Sequence, residues 1–283
     1  MEWIMNAVFF ICGFVAIVFV LFISIYLIIS GLPAIREIGL VDFLFGREWA
    51  STASDPKFGI LPFILTSIYG TCGAIILGVP VGFMTAVFLA KVAPPKLAAV
   101  VRPAVDLLAG IPSIVYGFFG LMVIVPLVQD LFGAPSGQNM LTASILLGIM
   151  ILPTIISVSE SSIRAVPDSY YEGALALGAS HERSVFFVTV PAAKSGIMAG
   201  IILGVGRAIG ETMAVIMIAG NQPRIPGSLL EGVRTLTGNI VMEMGYAQGL
   251  HREALIATGV VLFVFILIIN LLFSILKRKE SKA

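Results

Sequence analysis

Between Ala7 and Ile29 the chain runs for 23 residues without a charge, its apolar character broken by Ser24 alone. A helix rising 1.5 Å per residue needs about 20 such residues to cross about 30 Å of hydrocarbon, so this run is long enough to span a bilayer. In lipid a single segment has to satisfy its own backbone hydrogen bonds, which selects a helix. There are five further stretches: Phe63–Ala90, Ala104–Val128, Leu141–Val158, Ser195–Ala219 and Ala254–Leu276. Six spans place both termini on one side. Only 12% of the side chains are charged, about half the share of a soluble domain, too few to clothe a water-soluble globule. With a net charge of +1 there is no basic face for nucleic acid. An all-α integral membrane protein in contact with lipid is the expectation.

Met1–Asn6 lacks the basic segment of a secretory signal, so the first span is expected to be retained. Ten basic residues fall on the side of the termini: Lys91, Lys96, Arg102, Arg164, Arg183, Lys194, Lys277, Arg278, Lys279 and Lys282. Six fall on the other side, which predicts cytoplasmic termini. The connections Gly31–Pro62 and Asn221–Glu253, 32 and 33 residues long, then lie outside. Segments of that length either cap a pathway and meet a partner or serve as passive links.

Glycines recur at helical spacing, as in Gly78 and Gly82 or Gly196, Gly200 and Gly204. Small residues let helices approach closely in lipid, within a subunit or between two. Pro80, Pro112, Pro126 and Pro153 each remove a backbone hydrogen bond inside a span, and the gap has to face protein or a cavity. Interrupted helices of this kind are a feature of transporters, though harmless kinks share the signature.

Two charges stand in the middle of the fifth span, Arg207 and Glu211. Four residues apart on a continuous helix, they would share a face. Either they neutralise one another and pin two helices, or they line a route for a charged solute, with Arg207 meeting an anion. An arginine at the bilayer centre costs at least about 2.5–3.5 kcal/mol, which favours the second reading. Asp106, expected one turn into the third span, is a candidate partner for Arg207. Cys12 and Cys72, both in apolar runs, and the distant His181 and His251 offer no disulfide framework and no metal site.

The connection Ser159–Lys194 is the most informative. Pro167 and Asp168 open a helix, Ser169-x-x-Glu172 reads as a capping box, and Gly178 suits the stop. A rod of about nine residues, roughly 13 Å long, with small and apolar side chains on a water-facing surface, calls for a groove on another protein. Pro191 ends the segment beyond Gly178.

Glu172-Gly173-Ala174, then Gly178, then Val188-Thr189-Val190-Pro191 resembles the EAA loop of binding-protein-dependent ABC importers in every interval. Gly173 in place of alanine and valines in place of isoleucine and leucine are departures that keep size and apolarity. Gly206-Arg207-Ala208-Ile209-Gly210-Glu211-Thr212-Met213-Ala214-Val215, Ala219-Gly220-Asn221 and Leu108–Gly117 extend the likeness to the C-type permeases of phosphate (Pst) transporters. So do Arg47-Glu48-Trp49, Phe58–Pro62 and Ile240–Gly245.

The resemblance implies the type I ABC importer permease fold: six transmembrane helices and a cytoplasmic coupling helix. It divides the chain into residues 1–62, a first helix with an outer loop; 63–276, the permease domain; and 277–283, a basic cytoplasmic tail. It implies an A-type permease partner, two copies of an ATPase, and an extracytoplasmic binding protein delivering inorganic phosphate, all in a prokaryotic cytoplasmic membrane. Arg207 and Glu211, with Asp106, become pathway residues. Glu172, Gly173, Ala174, Gly178 and Pro191 become the contact with the ATPase. No Gly-x-x-x-x-Gly-Lys-[Ser/Thr] occurs, so ATP and magnesium belong to the partner and this chain is expected to bind no cofactor and catalyse nothing. Three rivals stay open on the sequence: an autonomous carrier or channel, a membrane enzyme, and an importer of another oxyanion.

Overall fold

The computed structural model describes residues 2–280 and is almost entirely helical. Helix α1 (Glu2–Ile38) is apolar on every side and stands at the periphery, with side chains such as Phe10 and Phe22 largely exposed to the lipid region. It packs on the last helix, where Gly31 brings its backbone against Ala257. A short α2 (Leu40–Phe45) leads to a small hairpin, β1 (Trp49–Ala50) and β2 (Lys57–Phe58), antiparallel with Trp49 opposite Phe58. Helix α3 (Leu61–Val87) begins with Pro62 in its first turn, where a missing N–H costs nothing, and widens into a π-turn over Phe88–Val92. After Pro94 comes α4 (Pro95–Gly110), and after Pro112 comes α5 (Ser113–Phe119), a second π-turn (Gly120–Ile124) and α6 (Val125–Phe132).

Helix α7 (Met140–Arg164) is the central column. The Asn139 side chain caps it, accepting the Thr142 N–H at 3.0 Å. Ile151 and Ile155 are fully buried. Gly78 and Gly82 of α3 press against them from one side and Gly204 from another. The glycine stripes thus serve packing within the subunit, through close backbone contact where lipid offers no hydrophobic drive. The chain continues through α8 (Asp168–Ala176), α9 (His181–Ser184), a π-turn (Val185–Thr189), α10 (Val190–Ala192) and α11 (Lys194–Gly210). It ends with α12 (Met213–Ile218), α13 (Leu236–Glu243) and α14 (Gly249–Glu280).

Among the described residues five helices are long and apolar enough to cross a membrane, and the pair His181–Ala192 and Lys194–Gly210, bent by 70°, makes a sixth. Two predicted spans need correction. The third is not Ala104–Val128: Ile111 is extended (ψ 127°) ahead of Pro112, whose ring disfavours a helical residue before it, and the span runs over Ser113–Phe132. Asp106 therefore lies in α4, outside that span. The fifth is not one helix to Ala219, because Glu211 is extended (φ −67°, ψ 133°) and separates α11 from α12. Lys282 of the predicted basic tail lies outside the described residues.

Candidate functional site

The break at Glu211 changes what the two intramembrane charges do. With the helix ended at Gly210, the four-residue spacing no longer places Arg207 and Glu211 on one face, and neither has an ion-pair partner among the described residues. Glu211 turns forward instead: its Oε1 accepts the Ala214 N–H at 3.2 Å, which caps the restart at α12. The Thr237 hydroxyl donates to the Glu211 carbonyl at 3.0 Å and ties the break to α13. Behind Glu211 lies a small cavity lined by the hydroxyl side chains Thr66, Ser67 and Thr71 of α3.

Arg207 is half-buried, beside a face of α11 that the subunit does not cover. Leu203 is 56% exposed on it, and a side chain added at Gly206 or Gly210 would meet open space. Arg207 lies within electrostatic reach of Tyr116 on α5, whose hydroxyl donates to the Leu108 carbonyl at 2.8 Å across the Ile111–Pro112 break. Helices α5 and α12 pack together, Gly117 against Ala214 and Met217. Two interrupted spans thus meet beside an unpaired arginine, the arrangement from which transporters build solute sites. Asp106 does not pair with Arg207. It lines a cavity of about 300 Å³ with Arg102, Glu160 and Arg164 at the α8 end of the bundle.

Helix α8 carries Glu172, Gly173 and Ala174 and has no buried residue. Gly178, in the left-handed region at φ 84°, closes it: its N–H bonds the Leu175 carbonyl at 2.9 Å and the Ala179 N–H bonds that of Ala174 at 3.1 Å. This is a Schellman stop, and it leaves Leu177 90% exposed at the tip. The predicted capping box does not form: Pro167 is the cap residue, Ser169 is already inside the helix, and no side chain caps the first turn. Pro191 sits in α10, just before the 70° bend into α11. Arg207 with Glu211 and the α8 residues thus form two separate groups, joined by α7 and α11.

A third group had no local signal. At the hairpin end the buried Glu243 accepts Trp49 Nε1–H at 2.9 Å, the Ser51 hydroxyl at 3.0 Å, Arg234 Nη1–H at 2.6 Å and a hydrogen bond from His251 Nε2 at 2.8 Å. Burial pushes its carboxyl pKa up, but the four hydrogen bonds outweigh that and hold it below the usual carboxylate range. Trp49 and Glu243 are 194 positions apart, beyond any pattern in the chain. The two long loops thus pack into one cap with a shared core of Trp49, Phe58, Phe63 and Leu255.

A multi-pass helical bundle with an exposed, firmly stopped short helix at one end and an unpaired arginine at two helix breaks is a membrane permease of the type I ABC importer class. The chain belongs to the family of binding-protein-dependent transport system inner membrane components, whose model matches residues 78–282. It is 37% identical to the probable ABC transporter permease protein YqgH of Bacillus subtilis, over 93% of this chain and 88% of that one. It is 36% identical to the phosphate transport system permease protein PstC of Haemophilus influenzae, over 95% and 92%, and 36% identical to that of Xylella fastidiosa, over 85% and 81%. In fold it is similar to the inward-facing MetNI methionine ABC transporter, with TM-score 0.62 and 18% identity over 78% of this chain and 95% of that one. An amino acid ABC transporter with histidines gives 0.55 and 21% over 78% and 92%.

Proposed function

We propose that this chain is the permease subunit of an ATP-driven importer of inorganic phosphate and forms half of the translocation route. The observation that carries the reading is Arg207, unpaired on the open face of a broken span. A guanidinium in lipid without a carboxylate is costly, and an anionic solute supplies the missing charge transiently. Relatives from several bacteria, 31–36% identical and named phosphate transport permeases, support the choice of solute. Glu211 keeps the α12 restart in place and sets a negative charge beyond Arg207, so that the anion is passed on rather than trapped. Asp106 belongs to the inner mouth of the route. High selectivity resides in an extracytoplasmic phosphate-binding protein, because a conduit that held phosphate tightly would release it slowly.

The other half of the route is a homologous A-type permease, which covers the face of Leu203 and Gly210. Helix α8 with Glu172, Gly173, Ala174 and Gly178 docks in one of two ATPase subunits, and Pro191 sets the angle at which that motion enters α11. ATP and magnesium are bound there and not by this chain. Both termini are cytoplasmic in a prokaryotic inner membrane. Residues 63–276 are the permease domain, 1–62 add the first helix and outer loop, and 277–283 form a basic tail.

The test is uptake of labelled phosphate into proteoliposomes holding this chain, the partner permease, the ATPase and the binding protein. Wild type is expected to accumulate phosphate on ATP addition. Arg207→Gln is expected to lose at least about tenfold of it while ATP hydrolysis still responds to the loaded binding protein. Unchanged uptake by the variant would make Arg207 structural, and uptake of sulfate or molybdate in place of phosphate would overturn the solute.

A further inference from the structure

The end of α3 is shaped by two features, a π-turn and the proline beyond it. In the π-turn Phe88–Val92 the Ala93 N–H closes onto the Phe88 carbonyl at 2.7 Å. The Leu89 carbonyl is then without a backbone donor, since Ala93 is taken and the next position, Pro94, has no N–H. Two guanidiniums supply it instead: Arg164 Nη2 of α7 donates to Leu89 O at 2.7 Å and Arg102 Nη2 of α4 at 3.3 Å. The Nε–H groups of the same two side chains donate to Glu160 Oε1, at 2.8 and 2.6 Å, and the Glu160 side chain is only 7% exposed. One backbone oxygen and one carboxylate oxygen thus pin α3, α4 and α7 at a single point.

Two residues along the same π-turn, Lys91 reaches the opposite way. Its Nζ lies 3.4 Å from Asp168 Oδ1 and 5.7 Å from the centre of the Tyr171 ring, and both partners belong to α8. The Tyr171 hydroxyl shares a hydrogen bond with His181 Nδ1 at 2.7 Å, which holds that ring against α9. Helix α8 has no fully buried residue; its Tyr171 ring packs against the cluster of Val87, Ile163 and Val185, and the Lys91 contacts tie that ring and Asp168 to the π-turn. Helix α4, gripped through Arg102 at its middle, presents the Leu108 carbonyl to Tyr116 near its C-terminal end, beside Arg207.

We infer that the π-turn Phe88–Val92, tied to α8 by Lys91 and to α4 and α7 by Arg102, Glu160 and Arg164, is the joint that hands displacement of α8 to the spans. The four side chains are positioning residues in this reading; Arg102, Glu160 and Arg164 share a cavity with Asp106, whereas Lys91 lies outside it, so the Lys91 variant separates transfer of motion from a role in the route. Stability alone does not call for them, because a buried ion pair is often replaced by apolar side chains of similar volume at no loss. A π-turn stores an extra residue in the helix, and such turns gather at functional sites. A rigid, multiply bonded joint placed on one transfers motion without absorbing it.

Granted ATP-coupled phosphate import, the joint is tested in the same proteoliposomes by measuring phosphate uptake and ATP hydrolysis together for Lys91→Met and Arg102→Met. Each is expected to lower phosphate moved per ATP about tenfold while hydrolysis stays within about twofold. Lys91→Arg, which keeps the charge, is expected to restore the ratio. A ratio unchanged in Lys91→Met, whether both rates hold or both fall together, overturns the joint. Should Arg102→Met fail to assemble, Lys91→Met carries the test alone, since its partner Asp168 is 81% exposed and the fold does not rest on that pair. Failure of the wild type to move phosphate at all would instead overturn the proposed function.

Discussion

Two arginine–glutamate pairs in this chain behave in opposite ways. Arg234 and Glu243, nine positions apart, meet at 2.6 Å with side chains 11% and 8% exposed, and each of them is hydrogen-bonded to further partners. Arg207 and Glu211 stand four apart, the spacing at which a helix brings side chains together, and do not pair. The first pair locks the two long loops into a cap. The second keeps its charges apart because the helix ends between them, and that leaves Arg207 without a carboxylate partner among the described residues. Spacing in sequence proposes a contact, and only the helix that does or does not continue through it decides.

The two pairs differ most sharply in what their loss should cost the fold. Arg234→Ala strands the Glu243 carboxylate in a buried site, and the loss of one partner from such a pair costs about 3–5 kcal/mol. The unfolding midpoint of the detergent-solubilised protein should drop accordingly, and an unmoved midpoint would mean that the cap does not rest on this network. Trp49→Phe keeps an aromatic ring edge-to-face with Phe58 and Phe63 but removes one donor to a charged acceptor, for a smaller loss of about 1.5–3 kcal/mol.

The depressed Glu243 pKa makes the closed pair sensitive to acid. A carboxyl held lower in the folded state than in the unfolded one adds stability that is full above the unfolded value, about 4.3, and is lost as pH falls through the folded value. Thermal midpoints taken downward from pH 6 should therefore decline below about 4.5, and Glu243→Gln should flatten that decline. An identical decline in the variant would assign the effect to other carboxylates. The smallest effect falls on the open pair: Arg207→Gln should move the midpoint by no more than about 0.5 kcal/mol, as for a side chain without structural partners, even as uptake collapses.

Local chemistry carried much of the architecture. The spans announce themselves by apolar length, and α8 by Pro167 before it and Gly178 after it. The capping box fails by a small margin: Ser169 has the right residue type, but the chain enters the helix two residues earlier, with Pro167 as the cap. The break at Ile111 has a signal in Pro112, but the same residue signals a kink within a span as readily as the boundary between α4 and α5. The break at Glu211 has none, since neither Gly210 nor Thr212 forbids a helix. It is held by a tertiary bond, from Thr237 to the Glu211 carbonyl.

The sequence by itself marked which helices are apolar and long enough to cross a bilayer and where the short helix α8 stops, because hydrophobic length and turn chemistry act over a few residues. Tertiary structure alone decided which charges pair across the fold. Arg102 finds Glu160 58 positions away, Trp49 finds Glu243 across 194, and Lys91 reaches Asp168 across 77. A buried charge takes whatever partner packing delivers, and packing is set by how α3, α4 and α11 close around α7, which no local pattern encodes.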